Sequence, residues 1–249
     1  LERARRAFYI EGAAPDLAYS LGAEALASFY GDFDCPPESA KSKDRLLEAF
    51  LYYFAAYPIE SDPAVPLLGP NGPMIEFSFI LPISDDLLHP VSGDPILYSG
   101  RADQVVQYAG APTIFDDKTT TSLGAQWSQQ WDLRAQFTGY CWAAQHFGIP
   151  ASQVLARGIA ILKTKFDHAQ AITHRPEWRI AAWHTQLIRD IHRAISLWHE
   201  GYFDFAESDA CNSYGGCMFR QPCQSPDPQP WFETGFQRRR WDPISRTEE

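Results

Sequence analysis

The chain has 249 residues, of which 45% are hydrophobic and 21% charged, and its formal net charge at pH 7 is -10. This composition is typical of globular proteins and excludes intrinsic disorder, and no apolar run reaches the ~18 residues of a membrane span. The acidic balance disfavours nucleic-acid binding spread over the whole surface, but it leaves room for binding through a local basic cluster.

Two helices are predicted before the first loop. Residues 15–31 repeat apolar side chains at i, i+4 steps, which is typical of an amphipathic helix. Residues 42–58 form the second helix, with Ser42 as its N-cap, and residues 61–73 are a loop rich in Pro and Gly. The predicted apolar stripe of the first helix consists of Leu17, Leu21, Ala25 and Phe29.

Three strands are predicted next. Residues 75–82 alternate apolar and other side chains, with Ile75, Phe77, Phe79 and Leu81 on one side. The segment from Ile96 to Lys118 reads as two more strands, separated by a turn at Ala109-Gly110.

The second half alternates between helix and strand. We predict a helix over 124–150, a strand over 154–165 and a long helix over 176–203. The apolar stripe of the long helix is Ile180, His184, Leu187, Ile191, Ala194 and Trp198. This order predicts an α/β or α+β fold, a mixed sheet flanked by helices, with a main domain at 1–206. A cysteine-bearing segment at 207–249 is expected to pack on the N-terminal helices.

Charged side chains converge on the predicted hairpin. If Ala109-Gly110 is a two-residue turn, the numbers of facing residues sum to 219, and Asp103 faces Asp116. Alternation places Lys118 on the same face as Asp116, and Asp117 on the other. Two such carboxylates repel unless a cation lies between them, so Mg²⁺ or Mn²⁺ is expected. Two carboxylates on a metal ion, with Lys118 orienting a water, suit the hydrolysis of a phosphodiester. The alternative is a solvent-exposed hairpin in which Lys118 forms an ordinary salt bridge.

Three motifs in this order resemble the PD-(D/E)XK nuclease superfamily, in its RecB-like exonuclease branch. The G-x-x-D element is matched by Gly100 and Asp103, and the (D/E)-x-K element by Asp116 and Lys118. A Q-x-x-x-Y element on the next helix is matched by Gln136 and Tyr140, which share one helical face. The resemblance implies a restriction-endonuclease-like core over 74–165.

The resemblance also implies the roles of these residues. Asp103 and Asp116 would bind the metal, and Gln136 and Tyr140 would position the DNA backbone. An upstream acid often completes the metal site in this superfamily, and Glu76 is the candidate, with the solvated face of an edge strand as the alternative. The branch also carries G-x-x-x-H near the N-terminus, and here Gly22 is present but Leu26 replaces the histidine.

Five cysteines are present, and three of them form a C-x5-C-x5-C pattern near the C-terminus. An odd number clustered in this way favours metal ligation in a reducing compartment over a disulfide framework. The tail resembles phage and CRISPR-associated iron–sulfur nucleases, including the later "WDP" at 241–243. The resemblance implies a structural 4Fe-4S cluster held by Cys211, Cys217 and Cys223, with Cys35 as the fourth ligand or a solitary buried thiol. Zn²⁺ is the alternative occupant, and Cys141 is predicted to pack in the core.

Basic and aromatic side chains offer nucleic-acid contacts. The basic groups are Arg134, Arg157, Lys163, Lys165 and the arginines at 238–240. The hydroxyls of 119–121 could line the phosphate, and Trp127 and Trp131 could stack on bases, although core packing is the favoured reading of this pair.

The protein is therefore expected to be a Mg²⁺- or Mn²⁺-dependent deoxyribonuclease that acts on single-stranded DNA or duplex ends. Exonuclease action is preferred over endonuclease action. We expect the protein to lie in the cytoplasm, which is the host cytoplasm if a phage encodes it, and to have no membrane partner. A homo-oligomer and partners from recombination or replication are both left open. One alternative is a catalytically impaired DNA-binding or assembly subunit that keeps the nuclease fold. Another is a zinc-stapled structural protein.

Overall fold

The computed structural model describes residues 1–33, 35–36, 39–202, 208–237, 239, 241–242 and 247–248. The chain divides into one unit of Leu1–Leu81 with Gly100–Gln186, and a second of Pro82–Ser99 with Leu187–Glu249. This division falls earlier than the expected boundary at residue 206. All the candidate metal-site residues of the hairpin lie in the first unit.

The first unit begins with three helices, α1 (Glu2–Tyr9), α2 (Pro15–Tyr30) and α3 (Lys43–Ala56). The two predicted helices are confirmed, and the Ser42 hydroxyl accepts the Arg45 amide as an N-cap. The predicted stripe of α2 is wrong, since Phe29 is 94% exposed and the buried residues are Ala18 and Gly22. Small side chains lie on the inner face because α1 and α3 approach α2 there too closely for leucine or phenylalanine.

Six strands follow in the chain, β1 (Val65–Pro66), β2 (Leu68–Gly69), β3 (Gly72–Pro73), β4 (Ile75–Pro82), β5 (Leu97–Tyr108) and β6 (Ala111–Thr120). The apolar face of β4 is confirmed, with Ile75, Phe77 and Phe79 buried. The predicted hairpin is confirmed as well: Tyr108 pairs with Ala111 and Gln104 with Phe115, so facing numbers sum to 219. Ala109 and Gly110 both have positive φ, of 49° and 82°, as a type I′ turn requires.

The predicted helix over 124–150 is interrupted, giving α4 (Ala125–Gln129) and α5 (Ala135–His146). The break is stabilised from outside the segment. The carbonyl of Trp131 accepts from Arg175 Nη2 at 2.6 Å, and that of Asp132 accepts from Arg179 Nη1 at 2.9 Å. Because side chains satisfy these carbonyls, the helix ends without a loss of hydrogen bonding.

The sheet is completed by β7 (Gln153–Ile161) and by β8 (Phe166–His174), a strand that the sequence did not predict. The strand order is β1-β5-β6-β7-β8, with β4 also paired to β5. The β6–β7 pair is parallel, and β5–β6 and β7–β8 are antiparallel. The expected class, a mixed sheet flanked by helices, is confirmed.

The two faces of β6 are covered by different helices. The side chain of Lys118 lies over the ring of Phe137 of α5, with 5.7 Å between the nitrogen and the ring centroid. The side chain of Asp117 instead meets Arg5 of α1 and Tyr53 of α3. Alternation along one strand therefore separates a face that carries Asp116 and Lys118 from a reverse face closed by α1 and α3.

The long helix α6 (Glu177–Glu200) confirms the last predicted helix. Its predicted apolar stripe is confirmed at Ile180, which is buried, and is wrong at its C-terminal end, where Ala194 is exposed and Trp198 is 54% exposed. None of the helices in the described part of the chain is long and apolar enough to cross a membrane.

The second unit has short elements, namely a 3-10 helix (Asp209–Gly215), α7 (Arg220–Cys223), α8 (Gln229–Gly235) and the paired strands β9 (Trp241–Asp242) and β10 (Thr247–Glu248). The rings of Phe219 and Phe236 stack with centroids 5.1 Å apart. Arg238, Arg240 and Pro243, which belong to the predicted basic run and the "WDP" element, lie outside the described residues. Packing of this segment on the N-terminal helices stays a prediction.

Candidate active site

Asp116 and Lys118 form the centre of the candidate site, in the second half of β6. Asp116 is 3% exposed, and its Oδ2 atom forms an ion pair with the Lys118 ammonium. Within the described part of the chain, Oδ2 has no hydrogen-bonding partner apart from that ammonium. The sequence prediction that the two side chains share a face is confirmed.

Asp103 lies where β5 and β6 separate. The ladder between these strands runs from Tyr108 with Ala111 to Gln104 with Phe115, so Asp103 and Asp116 occupy the next position. There the Asp103 Oδ2 atom accepts the backbone N–H of Asp117 at 2.7 Å. The Asp117 N–H thus donates to a side-chain carboxylate, where in a continued strand ladder it would donate to a backbone carbonyl.

The electrostatics of these two acids favour a cation. Burial, and after it the negative charge of Asp103, raise the pKa of Asp116 to about 6. Burial also raises the pKa of Asp103, with the charge of Asp117 as the next cause. One buried and one half-buried carboxylate have raised pKa values, and the single ammonium pairs with Asp116. Negative charge is therefore left uncompensated, which fits the oxygen ligands that Mg²⁺ or Mn²⁺ prefers.

Glu76 lies beside these acids but has its own partner. Its carboxylate forms an ion pair with Arg101 Nε at 2.8 Å. Burial raises the pKa of Glu76, and Glu2 and then Asp103 are among the charges that raise it. Its φ of +57° is a strained value for a residue with a side chain, of the kind found at functional sites. Among the described residues no three Asp, Glu, His or Cys side chains are grouped as a metal site, so a role for Glu76 stays a prediction.

Gln136 and Tyr140 reach the same region from α5. Gln136 Nε2 donates to the Tyr140 hydroxyl at 2.8 Å, and that hydroxyl donates to the Arg101 carbonyl at 2.7 Å. The third motif is thereby joined to β5, two residues before Asp103. Gly100 is needed for the same packing, because a Cβ there would lie 2.5 Å from the Phe79 ring.

The reverse face of β6 carries a buried network that the motifs do not contain. Asp117 Oδ2 accepts from Arg5 Nη1 at 2.6 Å, and Oδ1 accepts from the Tyr53 hydroxyl at 2.7 Å. Arg157 Nη1 donates to the same hydroxyl at 3.2 Å and to Asp62 Oδ2, and Arg157 Nη2 donates to Asp62 Oδ1. Alternation along β6 already placed Asp117 on this face, which was the one signal in the sequence for its separate role.

The position of the absent histidine is apolar. Gly22 is buried where a Cβ would come within 2.6 Å of Phe50 Cζ, so this glycine serves close helix packing. Leu26 lines a cavity of about 150 Å³. Thr119 of β6 and Tyr53 of α3 line the same cavity, so Leu26 lies on the reverse face of β6 with Asp117, away from the face of Asp116 and Lys118, and its side chain cannot bind a metal.

Several predicted DNA contacts are placed differently from expectation. Arg157 is fully buried, so its prediction as a nucleic-acid contact is wrong, and the reason is its pairing with Asp62. Trp127 and Trp131 are each 5% exposed, which confirms core packing as the reading of this pair. Four of the predicted basic residues are exposed, namely Arg134, Lys163, Lys165 and Arg239.

The cysteines are free thiols in the described structure. Cys141 is buried as predicted, and burial raises the pKa of its thiol to about 12. Cys217 and Cys223 are exposed, and the Cys217 amide donates to the Cys211 carbonyl at 2.9 Å. The thiols of the described residues are not gathered into a metal site, so this geometry gives an iron–sulfur cluster no support.

Comparisons with known proteins agree with the motifs. Residues 13–224 match a family model described as the PD-(D/E)XK nuclease superfamily. No curated protein matches the chain. Among solved structures, the crystal structure of SSO0001 is similar with a TM-score of 0.29 and 16% identity, over 48% of this chain. This chain spans about half (49%) of the length of that protein.

Proposed function

The chain belongs to the PD-(D/E)XK nuclease superfamily, and on this premise we propose that it is a Mg²⁺- or Mn²⁺-dependent deoxyribonuclease. The observation that carries the proposal is the set of Asp103, Asp116 and Lys118 at the point where the hairpin strands separate, with Asp116 buried and the other two half-buried. Burial and a neighbouring carboxylate make each of the two acids less acidic, so a cation is needed there, and the adjacent ammonium suits a phosphate substrate.

Asp103 and Asp116 would hold the divalent ion, which when bound supplies Lewis-acid polarisation of the phosphate and a more acidic water. The Oδ2 atom of Asp103 keeps its hydrogen bond from the Asp117 amide, and this fixes the direction of that carboxylate. The Lys118 ammonium is paired with Asp116 and lies over the ring of Phe137 of α5. Its ammonium would orient the attacking water and offset negative charge that develops on the phosphate oxygens.

The DNA backbone would lie along the beginning of α5. Gln136, Arg134 and Leu133 line an open depression at this end of the helix. Gln136 uses one N–H to hold Tyr140, and its second N–H can donate to a phosphate oxygen. Because few exposed lysines and arginines adjoin the site, we propose that contact with DNA is confined to this strip and that exonuclease action on a strand end fits it best.

A second candidate function is that of a DNA-binding or assembly subunit with weak catalysis. The observations that favour it are the apolar surroundings of Leu26 and the pairing of Glu76 with Arg101, which leave two acids for the metal. The 4Fe-4S cluster on Cys35, Cys211, Cys217 and Cys223 is supported by cysteine spacing and resemblance alone, with Zn²⁺ as the alternative.

The direct test is cleavage of single-stranded and duplex DNA in Mg²⁺ or Mn²⁺ by the wild type and by Asp116→Ala. We expect the variant to lose more than the roughly 10–100-fold that outer-shell partners of metals cost, because it removes a ligand itself. Asp85→Ala, which removes an exposed loop carboxylate, is the matched control and should cleave normally. Equal cleavage by the wild type and Asp116→Ala would remove Asp116 from the mechanism, and DNA binding without cleavage would favour the second candidate.

A further inference from the structure

The network behind β6 fixes Asp117 from two sides. Arg5 Nη1 and the Tyr53 hydroxyl each donate to a different oxygen of the Asp117 carboxylate, at 2.6 and 2.7 Å. Arg5 Nη2 donates to that same hydroxyl at 2.7 Å, so the three side chains form a closed triangle. Each of the three therefore restrains the other two.

Arg5 is enclosed as well as paired. Its residue is 6% exposed, and its guanidinium lies 4.9 Å from the centroid of the Phe115 ring. In the amide orientation that the surrounding donors require, the Gln104 oxygen accepts from Arg5 Nε at 3.1 Å. Arg5 of α1 is thus bound to β5 through Gln104 and to β6 through Asp117, on either side of the point where these strands separate.

This point is also where the metal site begins. Beyond Gln104 and Phe115 the two strands share no further paired residues in the described structure. The hydrogen bond from the Asp117 amide to Asp103 spans the opening, and the Asp117 backbone lies between Asp116 and Lys118. Any movement of Asp117 would therefore shift the partner of one candidate metal ligand and the backbone of the other.

We propose that Arg5 is a positioning residue for the metal site: by clamping the Asp117 carboxylate from behind the sheet, it holds Asp103 and Asp116 at the separation that the divalent ion needs. This inference rests on the proposed function. It gives α1 a task that none of the three sequence motifs contains, and it explains why two adjacent acids occur in β6. Asp116 faces the metal, and Asp117 anchors the strand that carries it.

The test is Mn²⁺ binding without DNA, measured by titration calorimetry or by the spin resonance signal of free Mn²⁺. Arg5→Lys keeps the positive charge but loses the guanidinium fork that meets Asp117, Tyr53 and Gln104 together. We expect Mn²⁺ affinity to fall by about 10–100-fold, the usual effect of losing an outer-shell partner. At fixed Mn²⁺ the kcat should fall and recover when Mn²⁺ is raised, while the KM for DNA stays unchanged.

Tyr53→Phe is a milder variant in case Arg5→Lys folds poorly, since it removes one hydroxyl from the triangle, and Mn²⁺ binding should weaken by a smaller factor. The matched control is Arg175→Lys. Arg175 is also fully buried and multiply hydrogen-bonded, but to Thr138, Thr173 and backbone carbonyls away from the acids. This control should lower thermal stability and leave Mn²⁺ affinity as in the wild type.

The outcomes separate the two proposals. A wild type that binds Mn²⁺ and cleaves DNA, together with an Arg5→Lys variant of unchanged Mn²⁺ affinity, would overturn the positioning role alone. Loss of Mn²⁺ binding in Arg175→Lys to the same extent would also overturn it, since the effect would then follow stability. A wild type that neither binds Mn²⁺ nor cleaves DNA would instead overturn the proposed function.

Discussion

At the scale of single residues, burial decides what a charged side chain can do. Arg134 and Arg157 were equivalent candidates for DNA contact in the sequence. Arg157 is fully buried against Asp62 and lies 3.8 Å from the centroid of the Tyr57 ring, whereas Arg134 is exposed at the start of α5. The same charge therefore serves stability in one position and is available to a phosphate in the other.

Arg157→Met should destabilise the protein strongly. It leaves the Asp62 carboxylate, which has 12% of its side chain exposed, without its cation. Breaking a buried pair in this way costs about 3–5 kcal/mol, because a buried charge loses its compensation. Denaturant unfolding measures this loss, and the folded fraction should bind DNA with wild-type affinity.

Arg134→Ala is expected to give the opposite pattern. Arg134 is the N-cap residue of α5, but its exposed side chain makes no capping hydrogen bond, so its removal should change the free energy of unfolding by no more than about 0.5 kcal/mol. Its loss should weaken DNA binding and reduce the salt dependence of that binding by about one phosphate contact. DNA binding that falls in Arg157→Met and not in Arg134→Ala would contradict both assignments.

At the scale of elements, close packing of the first three helices depends on one glycine. Gly22 of α2 faces Ala4 of α1 and Phe50 of α3, and a Cβ at this position would lie 2.9 Å from the Ala4 Cβ. The small residue lets α1 come close enough to the sheet for Arg5 to reach Asp117. The glycine of the G-x-x-x-H element thus keeps a structural role in a chain that has lost the histidine.

Gly22→Ala should cost about 1–3 kcal/mol of unfolding free energy, as overpacking of a well-filled core does. Gly124→Ala is the matched control, since no atom lies within 4 Å of a Cβ there and its φ is not in the left-handed region. Because Gly124 is the N-cap of α4, this change should lower the free energy of unfolding by at most about 1 kcal/mol. Thermal and urea unfolding of both variants give the comparison, and an equal effect at the two glycines would mean that Gly22 is not packed as described.

At the scale of the whole molecule, the net charge is -10, and the proposed metal site itself requires carboxylates. The carboxylates of the site and the exposed basic groups of the first unit are consistent with a nuclease that contacts DNA over a small area. The second unit adds the three C-terminal cysteines, whose thiols are not gathered in the described structure.

Purification under anaerobic conditions decides what these cysteines hold. If the cluster prediction is right, the protein will contain iron and acid-labile sulfide in equal amounts and absorb visible light. Cys211→Ser should then lose iron, because it removes a ligand of the set that spacing implies. Cys141→Ser should keep it, since Cys141 is buried in α5 of the first unit. Zinc without sulfide would support the zinc-stapled alternative, and a metal-free protein would overturn both.

Most of the main elements and the shared face of Asp116 and Lys118 could be predicted, because both follow from local periodicity, whereas α1 and β8 were not predicted. The alternation of β4, the turn at Ala109-Gly110 and its register need no information from distant residues. The broken helix between α4 and α5 could not be predicted. Its free carbonyls are satisfied by Arg175 and Arg179, which lie more than forty residues further along the chain.

The sequence by itself determined the family motifs, the two-residue turn whose register brings Asp103 and Asp116 to the position next to the last strand pair, and the presence of Lys118 on the face of Asp116. The tertiary structure alone decided that Arg5 clamps Asp117 from a distance of 112 residues along the chain, and that Leu26 lies in an apolar cavity. The physical reason is that a strand's period sets which face a side chain occupies. What covers that face depends on helices whose positions are set by packing, and packing has no signature within a single segment.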